Sequence, residues 1–247
     1  LAIEKYEITC VIHLAALLSF IAECKPVLAH QVNVYSIYPL LELAKEKNVK
    51  VFIPSTIGAF GPESPRAPTP DICIQRPKSI YGISKVYTEL IGEYFFLKHG
   101  VDFRCLRYPG IISSDSEPGG GTTDYAVDIF QEAVKNRKYT CYLRGDTLLP
   151  MMHIDDCVKS TIDFVDVERK KLKQTTYNVG AVSFTPNMLA EEIKKTIPQF
   201  TIDYNVDPIR QNIADSWPQV FEDSNARHDW GHDPKMNTSQ IVEQMLE

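Results

Sequence analysis

Ser79-Ile80-Tyr81-Gly82-Ile83-Ser84-Lys85 opens a long helical pattern that stops at Gly100 and sets a tyrosine and a lysine four residues apart. Four residues is just over one helical turn, so both side chains leave the same face. A phenol is a poor base at neutral pH, its pKa in water being about 10. An ammonium held beside it favours the phenolate by Coulomb attraction. The pair therefore has the makings of a proton-transfer site, although the same spacing also suits a surface tyrosine and lysine on an amphipathic helix. The neighbouring stretches bear on the choice.

Upstream, Val49-Lys50-Val51-Phe52-Ile53-Pro54-Ser55-Thr56 reads as a buried strand ending in hydroxyl residues, followed by Ile57-Gly58-Ala59-Phe60-Gly61. Earlier still, Ile8 to His13 is a strand apolar on both faces, as in a sheet covered by helices on either side. It runs into Leu14-Ala15-Ala16, where small residues would let a ligand approach the backbone. Between these strands, Pro26 to Lys47 carries a helical stripe of Val27, Leu28, Val34, Ile37, Leu40, Leu41 and Leu43, with a kink or break expected at Pro39. Asp102 to Arg107 supplies a third strand. The alternation predicts an α/β fold with a parallel, doubly wound sheet, whose ligands sit at the C-terminal strand edge.

Strand-end hydroxyl, tyrosine and lysine, in this order, resemble the extended short-chain dehydrogenase/reductase superfamily. Further stretches sharpen the resemblance: Leu14-Ala15-Ala16-Leu17-Leu18-Ser19, Arg107-Tyr108-Pro109-Gly110-Ile111-Ile112-Ser113, and Pro118-Gly119-Gly120-Gly121-Thr122-Thr123-Asp124-Tyr125-Ala126-Val127. With Ser216-Trp217-Pro218 and Asp223-Ser224-Asn225-Ala226-Arg227, they are similar to the short-chain type of L-threonine 3-dehydrogenase over nearly the whole chain. Sugar-nucleotide epimerases, a neighbouring branch, commonly carry an asparagine where Tyr108-Pro109-Gly110 stands, which weakens that alternative.

The resemblance implies a Rossmann-type doubly wound parallel sheet lacking its N-terminal strands, with a small C-terminal substrate lobe. Residues 1–115 would form a partial NAD-binding domain to which about 137–160 return, and 116–247 would be mainly the lobe. The implied reaction is NAD-dependent oxidation of L-threonine at its β-hydroxyl to 2-amino-3-oxobutanoate. In it Tyr81 is the base, Lys85 tunes that base and holds the nicotinamide ribose, and Thr56 orients the hydroxyl. His13, Leu14, Ala15, Ala16, Asn33, Ser55, Tyr108, Pro109 and Ile111 would join Tyr81 and Lys85 around the cofactor. Ser19, Gly120, Gly121 and Thr122 would join Thr56 and Tyr81 around the substrate.

The bulk numbers agree with an ordinary soluble α/β protein. The chain has 247 residues and a formal charge of -6, which argues against nucleic acid and anionic membrane surfaces as partners. Six widely spaced cysteines read as packing residues in a reducing compartment. The basic run Glu168-Arg169-Lys170-Lys171-Leu172-Lys173 reads as a solvated helix end, and Pro150-Met151-Met152-His153-Ile154-Asp155-Asp156 as the opening of another helix, its two aspartates serving the helix start with no metal role. Three consecutive glycines from Gly119 read as a lid hinge, since no GxxxxGK[ST] is present.

One departure from the family stands out. Its members begin with a strand, a G-x-x-G-x-x-G turn for the pyrophosphate and an acidic ribose-binding residue, and none occurs here. The expectation is therefore an N-terminally truncated relative. Three readings stay open: a threonine dehydrogenase, a sugar-nucleotide epimerase or dehydratase, and a non-catalytic product retaining Thr56, Tyr81 and Lys85. A homodimer is usual in the superfamily, and eukaryotic members suggest the mitochondrial matrix, otherwise the cytoplasm.

Overall fold

The computed structural model describes residues 2–114 and 119–246; Leu1 and Pro118, the start of the glycine stretch quoted above, lie outside the described residues. Helix α1 (Ala2–Lys5) precedes strand β1 (Cys10–Ile12), after which come α2 (Ser19–Cys24), α3 (Pro26–His30), a π-helical turn at Gln31–Tyr35 and α4 (Ile37–Lys47). Next are β2 (Lys50–Phe52), β3 (Ser55–Thr56), α5 (Ile80–His99), β4 (Phe103–Tyr108), β5 (Gly110–Ile112), α6 (Tyr125–Asn136) and β6 (Lys138–Cys141). The rest is β7 (Leu149–His153), α7 (Ile154–Asp166), β8 (Thr176–Asn178), β9 (Val182–Phe184), α8 (Pro186–Thr196), β10 (Thr201–Tyr204), α9 (Pro208–Asp215), α10 (Ser224–Trp230) and α11 (Thr238–Leu246).

β2 and β3 are two pieces of the one strand expected there. Both pair in parallel with β4 in a single register, Val51 opposite Phe103 and Ser55 opposite Arg107. Pro54 has no N–H to give to the ladder, and the pairing lapses around it. β1 flanks β2 and β8 flanks β4, every pair parallel. One apolar layer packs Ile37, Leu41, Val51, Ile53, Phe95 and Phe103, and another packs Phe52, Leu106, Phe164, Tyr177 and Trp230. Helices thus cover both faces of the sheet. A third core, with Phe130, Leu149, Met151, Phe184, Leu189 and Ile193, gathers the C-terminal elements around β5, β7 and β9.

Several expectations need correction. The helix predicted from Pro26 to Lys47 is interrupted before Pro39, at the π turn. Pro39 lies in the first turn of α4, and its ring crowds the carbonyl four residues back, that of Tyr35. The wider π turn takes up that conflict. Pro150 to His153 is strand and not helix, because it pairs on both sides, with β5 and β9; α7 starts at Ile154, with His153 as its cap. Asp156 stands in that first turn, but its carboxylate accepts the Lys235 and Met236 N–H groups at 3.0 Å, tethering the chain before α11. The basic run is not fully solvated either. Arg169 stacks 4.1 Å from the Phe96 ring centroid and donates to the Leu172 carbonyl.

Candidate active site

The site forms where α5 meets the end of β3. Ser79 caps α5, its Oγ accepting the Gly82 N–H at 3.0 Å, and Gly100 at φ 71° closes the far end. The helix lies so close to the turn after β3 that a Cβ on Gly82 would stand 2.1 Å from the Gly58 carbonyl oxygen. This approach brings Tyr81 to Thr56. Thr56 Oγ1 accepts the Gly58 N–H at 3.1 Å, which orients the hydroxyl and leaves its proton free to donate. Its other partner is the Tyr81 side chain.

Burial pushes the Tyr81 phenol up to about 12, against the opposing effect of the Thr56 hydrogen bond. The expectation that Lys85 favours the phenolate is therefore not met in the protein by itself. The Lys85 ammonium lies 5.6 Å from the Tyr81 ring centroid and donates to the Pro54 carbonyl at 2.7 Å. The same burial lowers the Lys85 pKa, while Cys105 and Glu89 act to raise it. Pro54 thus has two effects: it breaks the strand ladder and offers its carbonyl to the helix.

A cavity of about 280 Å³ opens over these groups. Thr56, Tyr81 and Lys85 line it together with Leu14, Ala16, Ser55, Tyr108, Pro109 and Ile111 from the expected cofactor set, and Ser19, Gly121 and Thr122 from the expected substrate set. His13, Ala15, Asn33 and Gly120 are not among the lining residues. The His13 ring lies 3.5 Å from the Ser36 hydroxyl. Ser55 Oγ donates to Glu89, and the Tyr108 hydroxyl pairs with Thr161. Ser19 and Thr122 meet across the cavity wall, their hydroxyl oxygens 3.3 Å apart.

Asn33 supports the wall from behind. It sits in the π turn, its Oδ1 accepting the Leu17 N–H at 2.8 Å and its Nδ2 donating to the Leu17 carbonyl at 3.0 Å. A further contact, 3.4 Å to Ser84 Oγ, joins this loop to α5. Replacing Asn33 by alanine strands the Leu17 peptide groups and is expected to lower stability by about 1–3 kcal/mol. Denaturant titration measures this, and an unchanged midpoint would mean that the loop has other support.

Sequence reasoning missed Trp217, Thr123 and Asp124, which also line the cavity. Asp124 Oδ2 accepts the N–H groups of Gly120 and Gly121, both at 2.8 Å. Burial raises the pKa of its carboxyl and these hydrogen bonds lower it. Its signal is its place between three glycines and a helix. Trp217 had no local signal, because the fold alone brings it to the cavity.

Residues 2–180, from α1 to just beyond β8, match the model of the NAD dependent epimerase/dehydratase family. The chain belongs to that family. Within the epimerase/dehydratase family its similarity runs to threonine dehydrogenases. It is 55% identical over 239 residues to L-threonine 3-dehydrogenase, mitochondrial, from Bos taurus, a match covering 97% of this chain and 64% of that protein's length. The solved L-threonine dehydrogenase of Phytophthora infestans superposes with a TM-score of 0.97 at 48% identity, covering 99% of this chain and 79% of that one. The Trypanosoma brucei L-threonine 3-dehydrogenase gives 0.96 at 40% identity, covering 99% and 76%.

Proposed function

We propose that this chain carries the proton-transfer and substrate part of an NAD-dependent L-threonine 3-dehydrogenase, which oxidises the β-hydroxyl to 2-amino-3-oxobutanoate. The observation that carries the reading is the buried set of Thr56, Tyr81 and Lys85 on one cavity, in a chain so similar to threonine dehydrogenases. The residues present fit the nicotinamide and ribose end of the cofactor. An ammonium has three N–H donors, and among the described residues that of Lys85 has one acceptor, the Pro54 carbonyl, leaving donors for ribose hydroxyls. Leu14, Ala16, Pro109 and Ile111 give apolar walls. The sequence holds no glycine turn for the pyrophosphate.

When bound, NAD supplies the hydride acceptor. Tyr81 Oη takes the proton of the substrate hydroxyl, and the Thr56 hydroxyl donates to the oxygen on which negative charge develops. Asp124 suits the substrate ammonium, and the Ser19 and Thr122 hydroxyls suit its carboxylate. Because Tyr81 must be deprotonated to act and burial raises its pKa, NADH formation is expected to rise with pH, by about tenfold per unit on the acid limb. A cation beside the phenol moves this limb to lower pH.

The test is NADH formation from L-threonine and NAD across pH, for this chain and for one preceded by the strand and glycine turn of the family pattern. Activity rising with pH supports the reading. Activity only in the longer chain does so too, and assigns the pyrophosphate to the added turn. Two folded chains that make no NADH would overturn it, and nucleotide sugars would be tried next.

The family resemblance also leads us to a homodimer. Ile83, Leu90, Tyr94 and Leu97 form an exposed apolar stripe along one face of α5, with Val27 and Leu28 of α3 exposed as well. Leu90→Lys is expected to convert dimer to monomer in sedimentation velocity, and a parent chain already monomeric would refute this assembly. The name of the bovine relative supports a mitochondrial setting. Among the described residues no helix is long and apolar enough to cross a membrane.

A further inference from the structure

Glu89 lies one turn beyond Lys85 on α5, buried with every carboxylate contact directed into the protein. Arg107, near the end of β4, donates Nε to Oε1 at 3.0 Å and Nη2 to Oε2 at 2.8 Å. Ser55 Oγ donates to Oε1, and Gln75 Nε2 to Oε2 at 2.9 Å. Arg107 Nη1 continues to the Asp71 carbonyl at 2.6 Å and to Asn178 Oδ1 at 3.2 Å. The buried Asp71 carboxylate accepts the Asn178 N–H at 2.6 Å and the side chains of Gln174 and Asn225.

Two carboxylates and one guanidinium leave this buried cluster with one net negative charge. The buried Lys85 ammonium balances it. An ammonium taken out of water is costly unless an anion lies within its field. The other titratable groups acting around Lys85 offer none at neutral pH. Tyr81, on the same helix, is pushed up to about 12 by burial. Burial pushes the Cys105 thiol of β4 up as well, with Glu89 adding to that effect and Arg107 and Lys85 opposing it. His13, after β1, is held below its usual pKa by burial and by Lys85.

We propose that Glu89 is a positioning residue: clamped by Arg107, it keeps the Lys85 ammonium charged in its buried seat and fixes Ser55, and with it Thr56, beneath Tyr81. The importance of Lys85 rests on the dehydrogenase reading, but the test of Glu89 does not need activity. Glu89→Gln keeps the shape and removes the charge. The titration midpoint of Lys85 is read by trace labelling with acetic anhydride across pH and mass spectrometry of its peptide, with exposed Lys170 as internal reference. In Glu89→Gln that midpoint is expected to fall by about one unit, a tenfold loss of proton affinity. In Arg107→Gln, which removes the opposing cation, it rises. Asp71→Asn lowers it by less.

A merely structural role would not move these variants in opposite directions. An unchanged Lys85 midpoint in folded Glu89→Gln overturns the proposal, as does a shift of the same sign in Arg107→Gln. If Glu89→Gln does not fold by circular dichroism, the signs for Arg107→Gln and Asp71→Asn decide in the same way. A parent chain that makes no NADH while its Lys85 midpoint follows this pattern counts against the dehydrogenase reading alone.

Discussion

Tyr81→Phe is expected to reduce NADH formation from L-threonine about a thousandfold, the middle of the range for loss of a general base. The substitution removes one oxygen from a buried ring and keeps the ring in its place beside α2 and α3. Thr56 loses a partner but keeps the Gly58 N–H, so its hydroxyl stays oriented. The loss should fall on kcat, with the KM for L-threonine nearly unchanged, because the cavity walls are untouched. Steady-state kinetics on whichever chain makes NADH separate the two terms. A fall smaller than tenfold would take the role of base away from Tyr81.

Gly82→Ala is expected to destabilise by about 2–3 kcal/mol, in the range measured for overpacking of close contacts. Alanine is the better helix former by about 1 kcal/mol, so two effects oppose. The contact wins. The added Cβ would meet the Gly58 carbonyl oxygen at 2.1 Å and Pro77 Cβ at 2.6 Å, and neither is the far end of a flexible side chain. Relief requires α5 to back away from the turn after β3, which carries Tyr81 away from Thr56. Turnover should therefore fall along with the denaturation midpoint. A variant as stable as the parent would show that the helix tolerates more distance than its packing suggests.

What was legible in the sequence was local. Tyr81 and Lys85 share a face because helical spacing fixes it, and Ser79 and Gly100 bound their helix with chemistry confined to single turns. The strand-end hydroxyl was legible because an apolar run ends there. The π turn at Gln31–Tyr35 was not, since its cause, Pro39, acts one turn upstream of itself. Pro150 to His153 was misread because its strand character comes from β5 and β9, distant in sequence. Glu89 gave no signal, because a glutamate in a helical pattern reads as solvated. Its partners Ser55, Gln75 and Arg107 come from other segments of the chain. Trp217 and Asp124 were unassigned for the related reason that a cavity wall has no period along the chain.

Pro54 divides a strand without shifting its register, and this bears on which parts of the strand open together. β2 is sealed between β1 and β4 in the sheet core, while β3 holds to β4 through only two residues. Amide protection follows cooperative units of structure and not nominal strands. With pairing to β4 alone, the Ser55 and Thr56 amides are expected to exchange sooner than those of β2, which amide exchange would measure. The strand end that lines the cavity is then expected to open separately from β2, two residues away.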